Sequence, residues 1–354
     1  MKALITSAGR GTRLRPITHT QNKHLIPLAN KPMLHYAIES VRAAGITEVG
    51  IVIPAGRNEV PAAIGDGQAW GISITYIPQE EPSGLAHVVK ISQGFIGDSA
   101  FLFYLGDNII RGGVGQFVEA FQRRRCNCLL TVAKVKDPGR FGVPVFKDGK
   151  IVAVEEKPAR PKSEFAVAGI YLYDGSIFEA VNSIRPGARG ELEISDAHQY
   201  LIDHGKTVDY CELTGWWKDT GKPEDLLEAN RMVLESIEPK IEGTVDSRSD
   251  LQGNVVIGKG GRIVNSKIRG PVIIGEECTV EDSYIGPFTS VGPRSVVKKS
   301  EVEYSIIMQG CRILNVGARI EGSLIGNEVE VVQADGKPRV HRLMIGDQSR
   351  VEIV

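Results

Sequence analysis

The chain lacks an excess of either charge and any long apolar run. Its 354 residues carry 42 Lys and Arg against 43 Asp and Glu, which predicts no overall basic surface for nucleic acid or an anionic membrane. No apolar run approaches the ~18 residues of a membrane span. The opening residues MKALIT enter an apolar strand instead of forming a signal peptide. We therefore expect neither a nucleic-acid nor a membrane partner.

Cysteine patterns for disulfide and zinc frameworks are also missing. The five cysteines include no C-x-x-C pair, and no His/Cys set has the spacing of a zinc site. Cys126 and Cys128 lie in or before an apolar strand, where reduced, buried thiols are expected. Together with the missing signal peptide, this pattern predicts a cytoplasmic protein.

Up to about residue 235, apolar strand-like runs alternate with helical patterns. Such alternation predicts an α/β fold, a Rossmann-like and mostly parallel sheet with helices on both faces. The expected strands are Ala3–Thr6, Val49–Pro54, Ile72–Ile77, Ala100–Leu105, Leu129–Val135 and Val167–Tyr173. Helices are expected over Pro32–Ala44, Gly84–Phe95 and Gly115–Arg124, after a capping Asp174, and from Pro223.

Beyond Glu235 the helical periodicity stops, and Ile-Gly or Val-Gly pairs recur. Gly258, Gly275, Gly292 and Gly310 follow one another at intervals of 17, 17 and 18 residues. Three hexapeptides make one turn of ~18 residues in a triangular parallel β-helix, with small residues at its corners. The alternative is an antiparallel domain with many glycine turns, which periodicity disfavours. We predict two domains, 1–236 and 237–354, and a homo-oligomer assembled through the flat faces or ends of the β-helix.

The segment after the first strand has the composition of an anion-binding turn. Ala8, Gly9 and Gly11 permit close backbone approach, and successive amides in such a turn form an anion-binding concavity. Arg10, Arg13, Arg15 and Lys23 add positive charge. The dinucleotide-binding fingerprint G-x-G-x-x-G is excluded, because Leu14 occupies the position of its third glycine. The ATPase-type phosphate loop is excluded as well, because its G-K-[ST] sequence is missing. A polyphosphate is the ligand that this segment favours.

Two carboxylates lie where apolar segments end. Asp107 follows the run Phe101–Leu105 and Gly106, and Asp219 follows Trp216-Trp217-Lys218. An aspartate in such a place is often only a turn cap. However, Mg²⁺ typically takes one or two protein carboxylates together with phosphate oxygens and water, so the pair is a candidate magnesium site.

The string GRGTRLRPIT at residues 9–18, Lys23 and the string IPLANKP at residues 26–32 resemble the signature of the sugar-1-phosphate nucleotidylyltransferases. Further matches extend the resemblance over about residues 1–235. Long-form members of that family carry a C-terminal left-handed β-helix, similar to the repeat found here. One departure is Ala8, where many members have glycine; alanine fits only if its φ is negative.

The resemblance implies a role for each candidate residue. On the nucleotide side, Arg13 and Lys23 match the family's catalytic cations, and Ala8, Gly9 and Gly11 match its phosphate-binding loop. Gln79 and Gly84 match residues that contact the nucleotide. Asp107 and Asp219 match the two Mg²⁺ ligands. On the sugar side, Glu156 would accept hydrogen bonds from the sugar hydroxyls, and Lys157 would hold the 1-phosphate. The other residues matched around the sugar phosphate are Gly142, Val167, Tyr171 and Arg189. His24 stands where several relatives have glutamine.

The reaction implied is Mg²⁺-dependent transfer from dTTP to α-D-glucose 1-phosphate, giving dTDP-glucose and pyrophosphate. UTP differs from dTTP by one methyl on the base, which is worth only about 1–3 kcal/mol of discrimination. The alternatives are therefore UTP as donor, an amino-sugar phosphate as acceptor, or a non-catalytic regulatory homologue. The joint presence of Arg13, Lys23, Asp107, Lys157 and Asp219 disfavours the regulator.

Overall fold

A computed structural model describes residues 1–187, 189–333, 336 and 341–353. The chain divides into two compact units. The first consists of Met1–Arg10, Asn22–Leu25 and Met33–Asp219, and the second of Gly11–Gln21, Ile26–Pro32 and Thr220–Val354. Two short N-terminal segments thus group with the C-terminal part of the chain, an arrangement that the sequence does not suggest. The boundary at residue 236 stays a prediction.

The first 234 residues contain thirteen strands and eight α-helices in the described part of the chain. The strands are β1 (Lys2–Thr6), β2 (Pro27–Leu28), β3 (Lys31–Pro32), β4 (Glu48–Pro54), β5 (Ser73–Gln79), β6 (Phe101–Leu105), β7 (Asn108–Ile110), β8 (Cys128–Lys134), β9 (Gly142–Lys147), β10 (Lys150–Glu156), β11 (Phe165–Tyr173), β12 (Val208–Glu212) and β13 (Trp217–Asp219). The helices are α1 (Met33–Ala43), α2 (Glu59–Ile64), α3 (Leu85–Ile91), α4 (Gln93–Ile96), α5 (Gly115–Arg124), α6 (Ile177–Ser183), α7 (Ile194–Asp203) and α8 (Pro223–Leu234).

The first unit is built on a seven-stranded sheet in the order β12-β8-β11-β6-β1-β4-β5. Alternate strand residues enter separate cores, because side chains along a strand point to opposite faces. Ile5 and Ile51 pack with α1, α2 and α5, whereas Leu4 and Val52 pack with α3, α6 and α7. The predicted α/β sheet covered on both faces is confirmed.

The mostly parallel sheet that the sequence predicts contains one antiparallel strand, which the sequence does not indicate. β11 runs antiparallel to both of its neighbours, β6 and β8, while the other adjacent pairs are parallel. The sequence does not predict the antiparallel hairpin of β9 and β10.

The single helix expected over Gly84–Phe95 is wrong, because two helices occupy this segment. α3 ends at Ile91 and α4 begins at Gln93. Ser92, the residue between them, donates its hydroxyl to the carbonyl of Val88 at 2.8 Å. A serine side chain that bonds back to the backbone in this way competes with the regular helical hydrogen bonds.

The predicted cap at Asp174 is also corrected. α6 begins at Ile177, and the residue before it, Ser176, is its N-terminal flanking residue. Asp174 instead accepts hydrogen bonds at Oδ1 from the backbone N–H of Ser176 at 2.9 Å and from its hydroxyl at 2.5 Å. The aspartate therefore stabilises the turn that leads into the helix, since an Asp side chain readily bonds to the backbone two residues on.

The C-terminal part of the chain winds into parallel coils. Its strands are β14 (Lys240–Ile241), β15 (Thr244–Val245), β16 (Asp250–Gln252), β17 (Val255–Ile257), β18 (Arg262–Val264), β19 (Lys267–Arg269), β20 (Val272–Ile274), β21 (Thr279–Glu281), β22 (Tyr284–Ile285), β23 (Thr289–Val291), β24 (Val296–Lys298), β25 (Glu301–Glu303), β26 (Ile306–Ile307), β27 (Arg312–Leu314), β28 (Ile320–Glu321), β29 (Leu324–Ile325) and β30 (Glu330–Val332). Successive strands enter three parallel sheets in turn. The triangular parallel β-helix is confirmed, and the architecture is consistent with the left-handed form.

Small residues and residues with a left-handed backbone conformation form the corners of the β-helix. Ser266, Ser283 and Ser300 lie one coil apart, and the hydroxyl of each accepts a hydrogen bond from a backbone N–H of the next coil at 3.0–3.3 Å. A second corner repeats a positive φ at Glu277, Arg294 and Gly310. Aliphatic side chains such as Ile274 and Val291 fill the interior. In the described residues, no helix is long and apolar enough to cross a membrane.

Candidate active site

The candidate residues of the first unit gather at one edge of its sheet. β1, β4, β5 and β6 are parallel, so their carboxyl ends meet there. This topology brings together the turn after Thr6, the last residue of β5, Gln79, and the turn after Leu105 that contains Asp107. β11 runs the opposite way and brings its first half to the same edge.

Lys23 and Asp107 form an ion pair at this edge. The ammonium of Lys23 donates a hydrogen bond to Oδ2 of Asp107, and both side chains are largely buried. Gly9 leaves room for the lysine, because a Cβ at that position would lie 3.0 Å from Cε of Lys23. Ala8 is buried and is not among the described residues with positive φ, so alanine fits its backbone. The sequence predicts both charged residues but not their pairing.

The turn that carries Lys23 is held by Asn22. Its Oδ1 accepts from the backbone N–H of His24 at 2.9 Å and lies 2.8 Å from Nδ1 of the same histidine. Its Nδ2 donates to the carbonyl of Ser7 at 2.9 Å. Burial, followed by the charge of Lys23, lowers the pKa of His24 to about 3. The imidazole is therefore neutral, with its Nδ1 proton directed at Asn22.

Asn108 connects three strands around the acidic turn. Its Nδ2 donates to Oδ1 of Asp107 at 3.0 Å, and its Oδ1 accepts from the indole of Trp217 at 2.6 Å and from the backbone of Gly169 at 3.1 Å. A Cβ at Gly169 would lie only 2.7 Å from that Oδ1. Asn108 is buried, so its hydrogen bonds fix the turn firmly.

The two predicted metal ligands are brought close by the sheet that β7 and β13 form. Asp219 pairs with Asn108 in the antiparallel register, and Asn108 follows Asp107 directly. Burial acts to raise the pKa of Asp107, but the charge of Lys23 and the hydrogen bonds from Lys23 and Asn108 outweigh it and hold the pKa well below its usual range. The carboxylate is thus ionised at neutral pH, which is the form that binds a cation.

The chemistry of this donor set fits magnesium better than a metal that needs a full protein cage. No group of three or more His, Cys, Asp or Glu suited to a metal occurs in the described residues. One or two carboxylates are, however, the usual protein share of a Mg²⁺ site, which phosphate oxygens and water complete. Asp107 and Asp219 could hold such an ion.

Tyr171 lies on β11 and pairs with Phe103 of β6, the strand that leads into the acidic turn. It is buried on β11 and tilts against Phe103 with ring centroids 5.7 Å apart. Burial raises the pKa of Tyr171 far above its usual range, and the negative charges of Glu156, Asp107 and Asp219 raise it further. Its hydroxyl therefore lies in the field of the carboxylates from both halves of the site. Val167 is also buried on β11.

Glu156, at the end of β10, is the centre of the second charged group. Its Oε2 accepts from the hydroxyl of Ser195 at 2.7 Å, and its Oε1 lies 3.1 Å from the guanidinium of Arg189 and 3.2 Å from Nζ of Lys157. A Cβ at Gly142 would lie 2.9 Å from the Ser195 hydroxyl, so the glycine admits this contact. Four of the predicted sugar-phosphate residues are thus brought together, with the cations of Lys157 and Arg189 beside the carboxylate of Glu156 and with Gly142 next to it.

Gly84 serves a backbone contact that the sequence pattern does not predict. Its φ of 99° is left-handed, and a Cβ there would lie 2.4 Å from the carbonyl oxygen of Leu192. The backbone of Leu192 donates to Ser83 at 2.8 Å and accepts from Ala86 at 3.1 Å. The turn predicted to hold the nucleotide is therefore tied to the loop that carries Arg189.

Gln79 is buried instead of lying in an exposed loop. It ends β5, and its Nε2 lies 2.9 Å from Nδ1 of His87 on α3. The nucleotide contact predicted for Gln79 stays a prediction, and its neighbour His87 is not indicated by the sequence.

Gly11 and Arg13 belong to the second of the two compact units. Gly11 has a left-handed φ of 61° and precedes the short 3₁₀ helix Thr12–Leu14, which contains Arg13. The hydroxyl of Thr18 donates to the carbonyl of Gly11 at 2.7 Å. Arg13 is exposed. The roles predicted for both residues stay predictions.

The sequence pattern does not point to the residues that orient the predicted ones. Asn22, Asn108 and Ser195 are buried polar residues whose partners lie on other elements. Their sequence signal is weak, because an Asn or Ser near a turn is ordinarily a local cap. Asn22 and Asn108 do adjoin Lys23 and Asp107 in the chain, and that adjacency is the one hint available.

Taken together, the fold and the site define an α/β domain that gathers cations and carboxylates at the edge of its sheet. Residues 2–236 match the family model described as nucleotidyl transferase. Two relatives named glucose-1-phosphate thymidylyltransferase, from Streptomyces griseus and Streptomyces antibioticus, are 49% and 50% identical, each aligned over 100% of this chain and 99% of its own length. A solved Bacillus anthracis chain assigned to the same activity, in complex with sucrose, is 36% identical with a TM-score of 0.63, covering 68% of this chain and 97% of its own.

The chain therefore belongs to the nucleotidyl transferase family. Both Streptomyces relatives extend over its whole length, so the similarity includes the β-helix as well as the α/β part.

Proposed function

We propose that this chain is a glucose-1-phosphate thymidylyltransferase, which joins dTTP and α-D-glucose 1-phosphate to give dTDP-glucose and pyrophosphate. The observation that carries the proposal is that two charged groups are linked by one aromatic contact: the ring of Phe141, whose carbonyl accepts from the backbone of Lys157, packs 5.2 Å from that of Trp217, whose indole bonds to Asn108. Lys23, Asp107 and Asp219 form one group, and Glu156, Lys157 and Arg189 form the other. Such an arrangement suits a reaction between two phosphorylated substrates.

Each group has a chemical task in this reaction. The sugar phosphate is already ionised, so the main obstacles are repulsion between anions and alignment of the attacking oxygen. Lys157 and Arg189 would hold the 1-phosphate, while Glu156, oriented by Ser195, would accept hydrogen bonds from sugar hydroxyls. Lys23 and Arg13 would neutralise the triphosphate, for which the fork of arginine is well suited.

A magnesium ion belongs to the proposal, with Asp107 and Asp219 as the residues that would hold it. When bound, it would supply charge neutralisation on the phosphate oxygens. We further propose a cytoplasmic location and a homo-oligomer. All five cysteines are free thiols, as a reducing compartment favours.

Release of pyrophosphate tests the proposal. The enzyme is offered dTTP or UTP with glucose 1-phosphate or glucosamine 1-phosphate, with and without a chelator. We expect dTTP and glucose 1-phosphate to give the highest kcat/KM, and the chelator to abolish turnover until Mg²⁺ is restored. A preference for UTP or for the amino sugar would replace the proposed substrate, whereas no turnover with any pair would favour a regulatory protein.

A further inference from the structure

Within the second unit, the β-helix is hydrogen-bonded to both segments that flank Asn22–Leu25 in sequence. Upstream, Asn327 donates to Oε1 of Gln21 at 3.3 Å, and Nε2 of Gln21 lies 3.4 Å from Sδ of Met308. A Cβ at Gly326 would lie 3.1 Å from Cδ1 of Ile17, so this glycine allows close packing. The segment containing Arg13 is therefore anchored on the last coils.

Downstream, the hairpin of β2 and β3 is anchored through its turn. Ala29 and Asn30 both have positive φ, at 45° and 62°, as a two-residue hairpin turn requires. The side chain of Asn30 donates from Nδ2 to the carbonyl of Val291 at 2.8 Å. Thus a strand residue of the β-helix accepts a hydrogen bond from the hairpin directly.

Asn230 on α8 joins the hairpin and the β-helix in one network. It is fully buried, and its Oδ1 accepts from the backbone of Ala29 at 2.8 Å and from the hydroxyl of Ser290 at 3.1 Å. Its Nδ2 donates to the carbonyl of Phe288 at 3.2 Å. One amide thereby bonds to the hairpin through Ala29 and to the β-helix through Ser290 and Phe288. A buried hydrogen-bond network whose members are all paired is rigid.

We propose that the β-helix positions the segments Gly11–Gln21, which contains Arg13, and Ile26–Pro32, with Asn30 and Asn230 as positioning residues and Gln21 as the upstream anchor. The proposal rests on the proposed function, because it takes Arg13 to be a triphosphate ligand. The β-helix then has a task in substrate binding in addition to any role in assembly. A displacement of about 1 Å in a positioned group can slow an enzyme on the order of a hundredfold, because the reaction depends on alignment.

The principal test is Asn30→Gly in the full-length chain. Glycine keeps the positive φ but removes the hydrogen bond to Val291. We expect at least a tenfold fall in kcat/KM, with KM rising for dTTP and unchanged for glucose 1-phosphate. Gln21→Ala is expected to act in the same direction. Asn230→Ala removes three hydrogen bonds of a buried side chain and should have a larger effect. If Asn230→Ala does not fold, the result for Asn30→Gly decides the test.

Ser283→Ala is the matched control. It removes a buried corner hydroxyl that bonds within the β-helix, to Glu281 and Ser300. We expect it to lower the melting temperature and leave both KM values unchanged. An equal effect of Ser283→Ala on KM for dTTP, or wild-type kinetics in Asn30→Gly, would overturn the proposal.

Hydrogen–deuterium exchange separates this inference from the proposed function. Asn30→Gly should raise amide exchange in Gly11–Pro32 several-fold, whereas Ser283→Ala should not. Unchanged exchange in this segment would refute the positioning role even if the enzyme turns over dTTP. Raised exchange in a chain that is inactive with every substrate pair would support the anchoring and refute only the proposed reaction.

Discussion

Asn108 donates its side-chain N–H to the carboxylate of the preceding residue, Asp107, at 3.0 Å. The same amide accepts the indole N–H of Trp217, two residues before Asp219. A single buried amide thus orients one predicted metal ligand and fixes the strand that carries the other. Because hydrogen bonds to an ionised group are strong, this contact helps to keep Asp107 ionised and in place.

Asp107→Asn should abolish turnover while leaving the fold intact, since the amide keeps the size of the side chain but loses its charge. Pyrophosphate release and circular dichroism of the variant test this expectation. Asp98→Asn is the matched control, because Asp98 is exposed and lies outside the site. Retention of full activity by Asp107→Asn would refute the role assigned to this carboxylate.

Ser195→Ala should raise KM for the sugar phosphate about tenfold, with a smaller effect on KM for dTTP. The variant loses the hydrogen bond that orients Glu156, and a hydrogen bond to a charged group contributes roughly 1.5–3 kcal/mol. Steady-state kinetics with each substrate varied provide the measurement. Ser92→Ala, which removes a buried hydroxyl bonded to Val88, should leave both constants unchanged. Equal KM shifts in the two variants would contradict the expectation.

Gly9→Ala should lower kcat/KM by about tenfold or more, a loss of roughly 1.4 kcal/mol or more in transition-state stabilisation. The new methyl group would press on Cε of Lys23, 3.0 Å away, and displace its ammonium. Gly94→Ala provides the control, because a Cβ there meets no heavy atom within 4 Å. Wild-type kinetics in Gly9→Ala would show that Lys23 can shift without consequence.

The stability of the protein should fall as the pH is lowered below about 6.5, in part because of His198. Burial lowers the pKa of His198 from 6.5 to about 3, so between these values the unfolded chain binds a proton that the folded chain does not. Each pH unit in that window then costs up to about 1.4 kcal/mol of unfolding free energy. Above pH 6.5 this contribution disappears.

His198→Gln removes this titration, and glutamine can still bond to the Tyr173 hydroxyl, which lies 2.7 Å from Nε2 of the histidine. Urea unfolding of both proteins at pH 7, 6 and 5 should show a smaller loss of stability in the variant. Because His24 is present in both chains, the difference isolates His198. Parallel pH profiles would contradict the expectation.

The order of amino acids along the chain is enough to specify the two architectures. Alternating apolar runs require a sheet with two covered faces, and the glycine spacing near 17 residues requires stacked coils. The charged residues of the site are also visible at this level, because cations beside a small-residue turn and aspartates at strand ends are local patterns. The antiparallel direction of β11 has no signal in the sequence, because the apolar residues of a fully buried strand show the same pattern whichever way the strand runs.

Which residues meet depends on the folded arrangement of the elements. The pairing of Lys23 with Asp107, 84 positions apart, requires β1 and β6 to be neighbours. The contact of Asn230 with Ala29, across 201 positions, depends on how α8 packs on a hairpin near the start of the chain. Such contacts are set by strand order and helix packing, and no local spacing of residues contains that information.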